Sequence, residues 1–149
     1  MTLSLRTANL LGAWLAEAFY VSAICIFIFR LIGIPEAGFW LGLFELSMAI
    51  PLVVLLRHAT RFESPPLYYV QIVCMLLFLL VEAVLDYIYV VDFRQVPWAA
   101  TVYTVLFFAA SGGMLGIATY AGIAWRNLTV ATFFVMAVLT FIQRAVMGY

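Results

Sequence analysis

The chain has 149 residues, a length that suits one domain, and its hydrophobic residues reach 68% while its charged residues stop at 9%. A soluble domain carries roughly 45–50% apolar and about 25% charged residues, so the surplus apolar surface has to face lipid or a partner. Seven basic residues balance seven acidic ones and no basic tract exists, which argues against a nucleic-acid partner.

Stretches near 8–30, 37–56, 67–91, 97–122 and 127–146 are each apolar over a length that can cross a hydrocarbon core, about 20 residues of helix. Backbone groups in lipid need internal partners, and runs this long exceed barrel strands, so helices are expected. The predicted fold is all-α: a compact bundle of five transmembrane helices in one domain.

The first stretch is too long for a signal peptide and carries Glu17. Asn9, Ala13, Glu17 and Tyr20 recur at helical spacing on one side of it. Gly33 and Pro35 then separate it from the second stretch, where Gly38, Gly42, Glu45 and Ala49 align. The glycines allow a close backbone approach beside Glu45. Pro51 lies inside this span and should kink it or free a carbonyl.

A polar loop is expected over Arg57–Glu63, with His58 solvated in it. Ser64 reads as an N-cap ahead of Pro65 and Pro66. On the third stretch Gln71, Met75, Phe78, Glu82, Asp86 and Tyr89 share a face, with Glu82 and Asp86 four residues apart. Asp92 to Pro97 ends that helix. The fourth stretch carries two small-residue pairs, Ala109 with Gly113 and Gly112 with Gly116, a spacing that permits close helix contact. Gly122 and Asn127 bracket the last connection, with Asn127 read as a cap rather than a glycosylation site.

Five spans place the termini on opposite sides. Arg6, Arg57, Arg61 and Arg126 fall with the N-terminus, against Arg30, Arg94 and Arg144 on the far side. The positive-inside rule therefore favours a cytoplasmic N-terminus in the cell membrane. Tyr68, Tyr69, Trp98, Tyr103, Tyr120 and Trp125 stand near helix ends as interfacial aromatics.

The residues that point to chemistry are Glu17, Glu45, Glu82 and Asp86, carboxylates at membrane depth. An ionisable group there costs about 2.5–3.5 kcal/mol on insertion scales and usually faces the bundle interior or a water-filled cavity. Arg144 lies at the level of Asp86 and is expected to pair with it. The other three acids, lacking an evident base, have to be protonated, bind a cation or reach water. A single His and two isolated cysteines, Cys25 and Cys74, offer no metal or haem ligand set. No phosphate loop or nucleophile elbow is present either, so no cofactor is expected.

The composite expectation is a membrane protein, assembled as a homo-oligomer, that binds or translocates a proton or small cationic solute through the acids. Two alternatives stay open. One is a membrane enzyme using a carboxyl acid/base pair on a lipid-soluble substrate. The other is a structural subunit whose acids only hold helices together.

Overall fold

The computed structural model describes residues 4–90 and 93–147, and the described residues are all helical or in short connections. Ser4 opens helix α1 (Leu5–Leu31) by accepting a bond from the Thr7 N–H at 3.1 Å. The second span is split into α2 (Pro35–Ser47) and α3 (Ala49–Arg61). Helix α4 (Pro66–Glu82) runs directly into a π-helical turn, Ala83–Ile88. A 3₁₀ turn at Phe93–Gln95 leads to α5 (Pro97–Thr119), and α6 (Ile123–Met147) completes the described chain. Among the described residues five helical segments are long and apolar enough to cross a membrane, with α2 and α3 counted as one.

The split in the second span has its cause in Pro51. Proline has no N–H to give the carbonyl four residues back, which belongs to Ser47. The chain tightens just before that point, and the Met48 N–H turns to Glu45 O at 2.9 Å. Glu45 therefore stands at the end of a helical piece rather than in the middle of one.

Helix α1 is the axis of the assembly: α2, α5 and α6 pack around it, and α4 packs on α5. Its inward side is small and apolar, with Ala13, Ala16 and Ala23 buried beside Phe19 and Tyr20. Phe19, Phe78 and Phe107 meet ring to ring, with centroids 5.6 to 6.1 Å apart. The outward faces are apolar as well. Ile50, Val105 and Phe134 are each more than half exposed.

Several boundaries move. Helix α3 continues through Arg61, so Arg57, His58 and Arg61 form its last turns instead of a loop. His58 Nδ1 lies 2.9 Å from Val54 O, in a position where a basic side chain favours the carbonyl end of a helix. Ser64 is not a cap: Pro65 takes the N-cap position of α4, with no side-chain bond. Asn127 lies inside α6, which starts at Ile123 after the left-handed turn at Gly122 (φ 120°). Val91 and Asp92, expected at the end of the third span and the start of the following break, fall outside the described residues.

The small residues of α5 divide between two faces. A Cβ on Gly113 would come within 3.2 Å of the Gln71 carbonyl oxygen on α4, and one on Gly116 would fall on the Gln71 side-chain amide. Gly112 meets nothing within 4 Å and is exposed. Within the chain the close α4–α5 contact therefore runs through Gly113 and Gly116 and leaves Gly112 out.

Candidate functional site

The acids do not all converge. Glu45 and Glu82 line one cavity of about 80 Å³ together with Arg30, Tyr103, Thr104 and Thr140. Phe78 and Phe107 form part of its apolar wall. Glu17 is buried elsewhere, 3.1 Å from Thr132 Oγ1 on α6. Asp86 stands beyond the cavity, in the π turn.

Glu45 reaches the site from the end of α2, and Ser22 of α1 meets it there. The Ser22 oxygen is 2.6 Å from Glu45 Oε1 and 2.9 Å from Phe19 O. A serine hydroxyl has one proton and two lone pairs, so it donates to one of these oxygens at a time. With the carboxylate ionised, the hydroxyl donates to it. With the carboxyl protonated, Glu45 donates to the serine and the serine donates to Phe19 O. The Ser22–Glu45 hydrogen bond can therefore be kept in both charge states of the carboxyl.

Glu82 is different. It is 7% exposed, and its Oε2 is buried with no hydrogen-bond partner among the described residues. Buried polar atoms are paired in the great majority of cases. The cavity that Glu82 lines has room for a few waters, each of which needs about 10–15 Å³.

Arg30 is the base that sequence reasoning assigns to a helix end and so leaves out of the site. It stands in the last turn of α1 and lines the cavity, and its charge acts on both Glu45 and Glu82. Gly38 lies beside it, where an added Cβ would stand in ordinary contact 3.9 Å from Arg30 Nε. The sequence does carry a signal, because Arg30 lies on the apolar first span within reach of the depth assigned to Glu45. A depth count from the helix ends alone places it outside.

The expected pair of Arg144 with Asp86 is replaced by another. Arg94 holds Asp86 through a two-pronged bond, with Nη1 to Oδ1 at 2.9 Å and Nη2 to Oδ2 at 2.6 Å. The 3₁₀ turn after the π segment folds Arg94 back over only eight residues of chain. The guanidinium carbon also lies 4.5 Å from the Phe93 ring centre. Burial works against the charge of Arg94, but the Asp86 hydrogen bond and charge outweigh it and hold the group above the ordinary arginine range. Arg144 instead lines a second cavity with Arg94 and Gln143, which shares Tyr103, Thr104 and Thr140 with the first.

The predicted polar face of the third span is largely inward. Met75, Phe78 and Glu82 are buried, while Tyr89 is 72% exposed beyond the π turn. Tyr87, which sequence reasoning passes over, donates to Phe39 O at 2.9 Å. It does so because Gly42 has no side chain: a Cβ there would land on the Tyr87 hydroxyl.

No family model, no curated protein and no solved structure matches this chain.

Proposed function

We propose that the chain is an integral membrane protein that binds or translocates a proton, or a cation of comparable size, at the Glu45–Glu82 cavity. The membrane part rests on the five apolar helical spans and the apolar outward faces, since exposed patches of that extent suit lipid and not water. By the arginine distribution the N-terminus is cytoplasmic.

The observation that carries the site is Glu82: a buried carboxyl with one oxygen unpartnered among the described residues, on the wall of a small cavity that a second carboxyl shares. Two carboxylates facing Arg30 leave one negative charge uncompensated, which one proton or one monovalent cation neutralises. Ser22 adds the means to hold Glu45 in either charge state. The cavity, at about 80 Å³, suits water and a proton better than a lipid-soluble organic substrate.

The test is a flux assay in proteoliposomes containing a pH-sensitive dye, driven by a potassium diffusion potential. Glu82→Gln keeps size and hydrogen bonding and removes ionisation, so it should reduce proton flux to that of empty liposomes. Glu17→Gln, away from the cavity, should retain most of it. Equal flux in wild type and Glu82→Gln would sink the reading and return the field to the membrane enzyme or the structural subunit.

A further inference from the structure

The second cavity differs from the first in charge. It measures about 110 Å³ and lies between α5 and α6 at the end of the bundle that carries Arg30, Arg94 and Arg144. Its wall holds both Arg94 and Arg144, and no Asp or Glu among the described residues lines it. Arg94 is already neutralised by Asp86, but Arg144 makes no ion pair among the described residues.

Three features make this a recess built for a ligand and not a stray surface arginine. First, Arg94 is held still, with two of its donors on Asp86 and its plane against Phe93. A guanidinium has five N–H donors in a fixed fork, so three remain for another acceptor. Second, Gln143 is 7% exposed, lines the recess, and its side chain makes no hydrogen bond among the described residues. Third, the recess continues into an apolar wall, where Phe108 and Phe141 stack with centroids 6.0 Å apart. Guanidinium pairs are suited to the planar, forked recognition of phosphate and carboxylate oxygens.

We infer that the recess between Arg94 and Arg144 binds an anionic phosphate group, with Gln143 as an additional donor. Its two available sources are the headgroup of an anionic phospholipid and inorganic phosphate. The level of the recess and its Phe108–Phe141 wall favour the lipid, whose acyl chain would lie along those rings. The inference rests on the membrane reading and not on the proton reading, since none of the cavity carboxyls takes part.

The purified full chain in neutral detergent tests it. Binding is read by native mass spectrometry and by thermal unfolding in three arms: phosphatidylglycerol, phosphatidylcholine and inorganic phosphate. Phosphatidylglycerol should bind and raise the unfolding temperature, and phosphatidylcholine should not. Competition by millimolar inorganic phosphate would assign the site to the free ion, and its absence to the lipid headgroup. Arg144→Gln should weaken binding about tenfold or more, the loss of one charge-assisted contact. Arg144 is exposed, so the variant folds, and Gln143→Leu provides a second variant that keeps both charges. Arg6→Gln, at the opposite end of the bundle, should bind as wild type. No selective binding in any arm, or equal loss in Arg144→Gln and Arg6→Gln, would overturn the inference. Proton flux that survives in Arg144→Gln would leave the Glu82 reading standing whichever way this result falls.

Discussion

Exchanging each α5 glycine for alanine separates the residues that pack helices from the one that does not. An added Cβ at Gly113 would stand 3.2 Å from Gln71 O and 3.3 Å from Gln71 Cα, both backbone atoms that have nowhere to go. At Gly112 the same Cβ meets nothing within 4 Å. Alanine gains up to about 1 kcal/mol of helix propensity over glycine, but that gain is common to both positions and cancels in their difference. The remaining term is the overpacking at Gly113, of order 1–3 kcal/mol. Gly113→Ala should therefore be about 1–3 kcal/mol less stable than Gly112→Ala, measured by reversible unfolding in mixed micelles with tryptophan fluorescence. Gly116→Ala should fall between them, because the group it meets is the end of the Gln71 side chain, which can turn aside. Equal stability of Gly112→Ala and Gly113→Ala would refute the α4–α5 contact. Gly112→Leu adds a further reading: dissociation of an oligomer with the monomer still folded would assign the exposed face of Gly112 to a subunit interface.

Gly42→Ala should destabilise the chain and reduce flux by displacing the Tyr87 hydroxyl, and Gly42→Ala combined with Tyr87→Phe should recover stability, because phenylalanine lacks the displaced oxygen. A double variant no better than the single one would mean that the obstruction lies elsewhere. Asp86→Asn breaks the two-pronged pair with Arg94, whose partners are 25% and 19% exposed. The loss should lie between that of a surface pair and a buried one, about 1–3 kcal/mol in thermal or chemical unfolding, and a neutral result would mean that the pair is solvent-weakened. Ser22→Ala removes the hydroxyl from Glu45 and should lower stability by about 1–3 kcal/mol, whereas Ser22→Thr should retain most of it; identical unfolding of the two variants would remove the hydroxyl from the account.

The spans are legible because apolar length is a one-dimensional property, and the inward side of α4 is legible because Met75, Phe78 and Glu82 repeat at helical spacing. Sequence cannot supply how far a charged side chain reaches from its helix end. Arg30 counts as a terminal charge in the sequence, yet its long stem carries the guanidinium to the cavity, so the site looks more acidic there than it is. Arg94 reads as a loop residue because nothing local announces that a 3₁₀ turn will bring it back to Asp86. Depth alone groups Glu17 with Glu45 and Glu82, but Glu17 points to Thr132 on α6, and rotation around α1, not depth, decides that. Pro51 is legible as a disturbance, and its effect appears one turn earlier, at the carbonyl its ring cannot satisfy.

The π turn at Ala83–Ile88 bears on how this chain can tolerate insertions and deletions. Such a turn carries an extra residue relative to an α-helix, so it is a place where the genetic register and the helical register have been allowed to differ. Deleting one codon within it would yield a more regular helix and change where the residues of the turn itself stand around the axis. Asp86 would leave Arg94 and Tyr87 would leave Phe39, while the core of α4 up to Glu82 stayed where it is. A single-residue deletion here should produce a chain that folds well and has lost the Asp86–Arg94 pair and the Tyr87–Phe39 bond.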